Sequence, residues 1–209
     1  MLFGKFRILG KLALLVLVPL LGVVALAVPI VANRVDMARD ARDTADIVDL
    51  ATEVGTALQE LQEERLLSVG YFLGLIQRPE LVVQSAKAKD RIARLKDLDQ
   101  PLPPTLREAV EQAAGLDTTR SGILSRNVRP DLIVSQFTDT ITPIIDGLSL
   151  GRAANLTTPA GRQVFALDQA LRSDDMISQA SSYLTEAVAT GEPGFVGLFS
   201  SKLVELQLL

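Results

Sequence analysis

The chain of 209 residues has a formal net charge of −4 and contains neither cysteine nor histidine. These absences exclude a disulfide framework and any thiolate or imidazole site for zinc, haem or an iron–sulfur cluster. The acidic balance, with no basic patch among aromatic residues, argues against nucleic-acid binding. Histidine is also missing as a general base, and the carboxylates are scattered along the chain. We therefore expect no catalytic residues, no cofactor and no metal.

An apolar stretch near the N-terminus, Leu12–Val31, has the length of a membrane span. Its twenty residues carry no charge and no polar side chain, and about 20 apolar residues in a helix cross a hydrocarbon core of ~30 Å. Lys5, Arg7 and Lys11 precede it without any acidic residue. The positive-inside rule therefore places the N-terminus in the cytoplasm and the rest of this single-pass chain outside the cell membrane.

Two other interpretations of this stretch remain open. A cleaved signal peptide would have a shorter apolar region, although Ala25–Ala27 offers a small-x-small cleavage site. A buried helix of a soluble protein would be kinked by Pro19 and Pro29, which membrane spans tolerate better. With an uncleaved anchor, the predicted organisation is a cytoplasmic basic segment at 1–11, a transmembrane helix at 12–32 and an extracytoplasmic helical domain at 33–209.

The next three predicted helices carry inward-facing residues at alternating spacings of four and three, which is typical of helical bundles. The first covers 33–77, and the second runs from Pro79 to about Leu98. Thr105 is predicted to cap the third, with Glu108 completing a capping box. The predicted inward positions are Ile47, Leu50, Val54, Leu58, Leu61, Arg65, Ser68 and Phe72, then Leu81, Ser85, Ala88, Ile92 and Leu95, then Leu106, Val110, Ala113, Leu116, Arg120 and Ile123.

A fourth helix is predicted over 131–155 with a kink at Pro143, a fifth from Pro159 to Gly191, and an incomplete last helix over 198–209. Their predicted inward positions are Val134, Phe137, Ile141, Ile144 and Leu148, then Val164, Leu167, Leu171, Asp174, Ile177, Ser181, Leu184 and Val188. No strand pattern occurs. The predicted fold is all-α: an N-terminal transmembrane helix followed by an antiparallel bundle of the four-helix type.

Two arginines interrupt the apolar stripes and suggest a binding site. Arg65 and Arg120 both occupy inward positions, and Ser68 and Tyr71 lie near Arg65 in the sequence. A guanidinium group offers a planar fork of donors suited to a small oxyanion. These four residues are the candidate anion ligands. In the alternative interpretation each arginine pairs with an acid of a neighbouring helix, for which Asp174 is the obvious partner, or extends to solvent.

The segment Leu61–Tyr71 reads Leu-Gln-Glu-Glu-Arg-Leu-Leu-Ser-Val-Gly-Tyr and resembles the Leu-Gln-x-Glu-Arg-Gly-x-Ser-x-x-Tyr signature of the nitrate- and nitrite-sensing (NIT) domain. The anchor is similar to the first membrane span of actinobacterial sensor histidine kinases that carry this domain. Leu116–Arg120 is similar to a later element of the family. Leu66 stands where the family prefers glycine.

This resemblance implies antiparallel four-helix bundles and an arginine-lined pocket for nitrate or nitrite, with Arg65 and Arg120 as anion ligands. It also implies that a full-length relative continues through a second span to a histidine kinase. The expected function is extracytoplasmic sensing in signal transduction of the two-component type, with the membrane, a small anion and a second copy as partners. The alternative is a membrane-anchored bundle that serves protein interaction or dimerisation without a small ligand.

Overall fold

The computed structural model describes residue 42 and residues 44–208, with only the backbone at residue 153. The chain divides into two compact units, Met1–Asp46 and Ile47–Leu209, and the fold below is that of the second.

The predicted basic segment 1–11 and transmembrane helix 12–32 lie outside the described residues and stay predictions. Within the described part of the chain, no helix combines the length and the hydropathy that a membrane span requires.

The predicted all-α fold is confirmed, because the described residues form helices and turns without a strand. The helices are α1 (44–72, of which 47–72 belong to the second unit), α2 (Arg78–Lys96), α3 (Pro104–Gln112), a 3₁₀ turn (Ala113–Gly115), α4 (Leu116–Leu124), α5 (Pro130–Leu148), α6 (Leu150–Ala153), α7 (Pro159–Thr190) and α8 (Pro193–Gln207). The last helix therefore begins five residues before the predicted Leu198.

The first helix ends at residue 72 rather than at the predicted residue 77. Gly74 adopts a left-handed conformation (φ +80°), and the amide of Leu75 donates to the carbonyl of Gly70 at 2.8 Å. This is the geometry in which glycine terminates helices. The predicted stripe is confirmed in the centre of α1, since its members from Val54 to Ser68 are buried.

The third predicted helix is interrupted by the 3₁₀ turn, so that it forms α3 and α4. The predicted capping box is wrong: α3 has no side-chain cap, and the hydroxyl of Thr105 donates to the carbonyl of Gly147 at 3.2 Å. A Cβ atom at Gly147 would lie 2.6 Å from the Cα of Leu106. The glycine thus allows α3 and α5 to approach closely.

Helix α5 packs against α3, α4 and α7 and supplies much of the core. All five of its predicted inward residues are buried, with Phe137, Ile141 and Ile144 fully so. Pro143 lies inside the helix as predicted. The helix ends at Leu148, before Ser149 in a left-handed conformation (φ +53°), rather than continuing to 155.

Helix α7 turns a different face to the core from the predicted one. Among its predicted inward residues Val164 is buried and Leu167 and Leu171 are partly buried, but the later members of the stripe are partly or fully exposed. The exposed members are Asp174, Ile177, Leu184 and Val188, and Ser181 is half-buried. The buried polar residues are Asp168, Asp175, Gln179, Ser182 and Glu186.

Candidate functional site

Arg65 lies at the centre of the bundle and is fully buried. Its NH2 atom donates to Oδ1 of Asp175 at 2.8 Å and to the carbonyl of that residue at 3.3 Å. Its NH1 atom donates to Oγ1 of Thr138 at 3.1 Å. Burial lowers the pKa of the guanidinium, and the charge of Asp175 opposes that effect. Arg65 therefore connects α1 to both α5 and α7.

The acid that pairs with Arg65 is Asp175, whereas the sequence pattern pointed to Asp174. Asp174 is exposed and Asp175 is buried. Successive residues lie about 100° apart around a helix. The burial of Asp175 in place of Asp174 therefore reflects the rotation of α7 that turns its polar face towards the core. Removing a buried arginine from water costs several kcal/mol unless it is paired. The need for a partner explains why α7 presents Asp175 to the core.

Arg120 of α4 forms an ion pair with Glu64, which is the second ion pair that α1 makes with another helix. Its Nε and NH2 atoms donate to Oε1 and Oε2 of Glu64 at 2.7 and 2.8 Å, a two-point fork of the kind that guanidinium groups form with planar anions. Glu64 is fully buried, and the side chain of Arg120 is 13% exposed. Burial by itself would lower the pKa of Arg120, but its bonds with Glu64 and Asp117 raise it.

The remaining donors of Arg120 face Asp117. NH1 donates to Oδ1 of Asp117 at 2.9 Å, and Nζ of Lys89 donates to Oδ2 at 2.8 Å. These hydrogen bonds, first from Lys89 and then from Arg120, hold the pKa of Asp117 below its ordinary value. A single carboxylate thus bridges a cation of α2 and a cation of α4.

Arg65 and Ser68 each retain a polar atom without a hydrogen-bond partner among the described residues. These atoms are Nε of Arg65 and Oγ of Ser68. Both residues are buried on the same face of α1, one turn apart. Unpaired buried donors are rare in native structures, so this position is suited to a further acceptor.

The other predicted ligand near Arg65, Tyr71, has a partner. Its hydroxyl donates to the carbonyl of Leu124 at 3.3 Å, and the guanidinium carbon of Arg126 lies 5.2 Å from its ring centre. The structure therefore brings Arg65 and Ser68 together. Tyr71 instead contacts the end of α4 at Leu124, and Arg120 contacts Glu64 of α1.

A cavity of about 250 Å³ opens beside Arg120. Its charged walls are Lys89, Lys96, Asp97, Asp117 and Arg120, and the rest of its surface is mainly apolar, with Leu61 and Ile92 among the lining residues. Cations beside an apolar wall interact more strongly with an anion than they would in open water. This is the part of the bundle where a small anion can approach the partly buried guanidinium of Arg120.

Sequence reasoning missed five residues around the two arginines: Thr138 and Asp175 beside Arg65, and Glu64, Lys89 and Asp117 beside Arg120. The spacing of Asp117 and Arg120 is a signal for an ion pair within one helix, but it does not indicate the third partner on α2. Glu64 matches the glutamate of the family signature, but neither the signature nor its position beside the stripe of α1 indicates its partner, which lies 56 residues away.

The family model for nitrate and nitrite sensing matches residues 56–206, which include all the residues described above. Searches of curated proteins and of solved structures found no match. The matched segment covers most of the chain and contains both Arg65 and Arg120. The chain therefore belongs to the nitrate- and nitrite-sensing (NIT) domain family.

Proposed function

We propose that this chain is the sensory input part of a membrane-anchored signal-transduction protein of the two-component histidine kinase type, and that it responds to nitrate or nitrite. The observation that carries the proposal is the family match over residues 56–206, within which the partly buried guanidinium of Arg120 borders an open cavity. The chain lacks histidine, so the phosphoryl-accepting residue of such a kinase would belong to a longer relative.

The proposed location is extracytoplasmic. Leu12–Val31 has the length and apolarity of a membrane span, and Lys5, Arg7 and Lys11 precede it. Residues 33–209 would then face the outside of the cell membrane. A reporter fused after Leu209 that works only outside the cytoplasm, such as alkaline phosphatase, should be active. Activity only of a cytoplasmic reporter at that position would contradict this orientation.

The two ion pairs of α1 suggest how binding of an anion would change the packing of the helices and so produce a signal. Glu64 and Arg65 are neighbours in α1, but Glu64 pairs with α4 and Arg65 pairs with α7. An anion that changes either pairing changes how α1 packs against those helices. A ligand shifts such an equilibrium by the difference in its affinity for the two arrangements. In a full-length relative, the altered packing would pass through the membrane helices.

The proposal is tested by thermal unfolding of the full chain in detergent, followed by circular dichroism. Parallel samples contain nitrate, nitrite, chloride or sulfate at equal ionic strength. A ligand present at about 100 times its Kd adds about 2.7 kcal/mol to the unfolding free energy, which raises Tm by several degrees. We expect this rise with nitrate or nitrite and not with chloride. Equal Tm values in all four salts would refute anion sensing.

Arginine variants then test which ion pair binds the anion. Removing one member of a buried pair leaves an unpaired charge, so each pair is neutralised together. Both double variants, Glu64→Gln with Arg120→Gln and Arg65→Met with Asp175→Leu, should retain helix content. The nitrate response should be lost in the variant whose arginine binds the anion. The matched control is the exposed pair of α2, Asp90→Asn with Arg94→Gln, which should respond as the wild type does. Nitrate responses retained in both buried-pair variants would exclude these arginines.

A second candidate function, self-association, is favoured by the exposed face of α7. Ile177, Leu184 and Val188 are 51%, 44% and 78% exposed, and they are spaced by seven and four residues as in helices that pair with one another. Two identical chains would bring identical stripes together across a two-fold axis. The proposed partner is therefore a second copy of this chain.

Self-association is tested by sedimentation of the full chain in detergent over a range of concentrations. The wild type should form a dimer, and Leu184→Asp should shift it to a monomer without loss of helix content. Val82→Asp is the control, because Val82 lies on α2 and has the same 44% exposure as Leu184. A wild-type monomer at all concentrations would refute this function.

A further inference from the structure

The carboxylate of Asp117 occupies a place that a small oxyanion would fit. Its two oxygens are separately bound, Oδ1 by NH1 of Arg120 at 2.9 Å and Oδ2 by Nζ of Lys89 at 2.8 Å. Nitrite has two oxygens and nitrate three on one central atom, and both are planar with one negative charge, so each can present a pair of oxygens as the carboxylate does. Lys89 and Arg120 thus form a binding site for a planar anion, called the seat below. In this structure the carboxylate of Asp117 occupies it.

Arg120 is held in position independently of Asp117. Its Nε and NH2 atoms are fixed by Glu64, which is fully buried. NH1 therefore keeps its direction towards Asp117 and the cavity when the Asp117 carboxylate moves away. A donor that is already oriented binds a ligand without the entropic cost of ordering a flexible side chain.

The three carboxylates that hold Arg65 and Arg120 differ in how readily an anion can replace them. The side chains of Glu64 and Asp175 are 0% and 6% exposed, so their displacement would leave a buried charge unpaired. The side chain of Asp117 is 51% exposed and that of Lys89 is 65% exposed. Asp117 can therefore turn to solvent at small cost, because exposed ion pairs contribute little.

We propose that nitrate or nitrite binds to NH1 of Arg120 and Nζ of Lys89 in place of the Asp117 carboxylate, which acts as a built-in competitor. The cavity of about 250 Å³ beside them provides the space. The inference rests on the proposed function and names the site and its regulation. Because Asp117 lies in the first turn of α4, exchange releases this turn from its direct bond to Lys89 of α2.

The experiment measures nitrate and nitrite binding to the full chain by isothermal titration calorimetry in detergent at constant ionic strength. Asp117→Asn removes the competing charge and should lower Kd by about fivefold, which corresponds to the contribution of an exposed ion pair. Lys89→Gln removes one cation of the seat and should raise Kd by at least as much. Both residues are largely exposed, so both variants should fold.

Two controls separate a specific seat from a general change in charge. Asp97 lines the same cavity but makes no ion pair among the described residues, so Asp97→Asn removes a repelling charge without removing a competitor and should lower Kd less than Asp117→Asn does. Lys87 is an exposed lysine of the same helix as Lys89 and does not line this cavity, and Lys87→Gln should also have little effect.

The outcomes distinguish this inference from the proposed function. If the wild type binds nitrate or nitrite but Asp117→Asn and Lys89→Gln bind it equally well, the seat is refuted and the sensory function stands. Equal gains in Asp97→Asn and Asp117→Asn would refute displacement, because charge alone would then explain the affinity. If no variant and no wild-type sample binds either anion, the proposed function fails together with the seat.

Discussion

Helices α5 and α7 pack against each other but fill the core in opposite ways. The inward face of α5 is apolar, with Phe137, Ile141 and Ile144 fully buried. The inward face of α7 is largely polar, with Asp175 and Gln179 at its centre, while the apolar residues of its stripe from Ile177 onwards are exposed. Apolar burial therefore determines the orientation of α5, and pairing of a buried charge determines that of α7.

The polar face of α7 is not a set of unrelated exceptions. Its buried members follow one another by seven, four, three and four residues, a regular stripe along the helix. The members are Asp168, Asp175, Gln179, Ser182 and Glu186. Asp168 and Asp175 each bind an arginine, and Gln179 donates to Asp175 at 2.8 Å. The comparison teaches that a helix carrying two possible stripes takes its orientation from the partner it faces.

The largest effect should follow from removing the charge that holds Arg65. Asp175→Asn leaves the buried guanidinium unpaired and should lower the free energy of unfolding by about 3–5 kcal/mol, measured by chemical denaturation. Arg65→Met combined with Asp175→Leu should recover most of this loss, since well-packed apolar residues can replace a buried pair. Asp174→Asn on the exposed side should change stability by less than about 0.5 kcal/mol. A larger loss of stability for Asp174→Asn than for Asp175→Asn would mean that α7 is rotated by one residue.

Replacing an isoleucine by alanine should lower the stability of the protein more in α5 than in α7. Ile144→Ala in α5 removes a fully buried side chain and should cost about 2–5 kcal/mol. Ile177→Ala in α7 changes a side chain that is 51% exposed, and should change stability by about 0.5 kcal/mol or less in the monomer. Denaturation at low protein concentration checks this pair. Similar losses for both would show that α7 buries its apolar stripe.

Glu186, at the end of the polar stripe, should make stability depend on pH. It is fully buried, and neither of its carboxylate oxygens has a hydrogen-bond partner among the described residues. Burial, followed by the charges of Asp131 and Glu192, raises its pKa from 4.5 to about 7. The folded state thus binds this proton more tightly than the unfolded state, so the contribution is fully present below pH 4.5 and is lost as the pH rises through 7.

At roughly 1.4 kcal/mol for each pH unit between the two pKa values, the loss is about 3 kcal/mol. Glu186→Gln keeps the size of the side chain without a titrating group, so it should stabilise the protein at pH 8 and leave it nearly unchanged at pH 4. Denaturation curves at both pH values measure this difference. Glu111→Gln, at an exposed position of another helix whose charge does not affect Glu186, is the control. Parallel pH profiles for wild type and Glu186→Gln would show that Glu186 is already ionised in the folded protein.

The sequence predicted the structure best where one stripe dominates. In α5 the apolar residues leave a single face to bury, and in α1 the stripe placed Arg65 and Ser68 inside, where the structure has them. Local signals also identified the ends of α7, since Thr158 and Gly191 are its caps. These features depend on residues close to one another in the chain.

The sequence could not predict the features that depend on distant partners. Helix α7 offers an apolar and a polar stripe, and the choice between them follows from Arg65, 110 residues before Asp175. The bond from Lys89 to Asp117 joins exposed residues of two helices, whereas Lys87, also exposed on the same helix as Lys89, makes no ion pair among the described residues. The likeness of Leu61–Tyr71 to a family signature identified the region of the site but not Glu64 as the partner of Arg120.

The smallest expected effect concerns the N-termini of the same two helices. Thr158 caps α7, its Oγ1 accepting a hydrogen bond from the amide of Gly161 at 3.0 Å, whereas Arg129 gives α5 no side-chain cap. Thr158→Ala should therefore cost about 1 kcal/mol, while Arg129→Ala at the equivalent position should cost less. Thr158→Ser keeps the hydroxyl and should behave as the wild type in the same denaturation experiment. Equal losses for Thr158→Ala and Thr158→Ser would show that the methyl group, and not the cap, contributes the stability. Helix α7 would then begin, like α5, without help from a side chain, and its orientation would depend still more on the partners of its polar face.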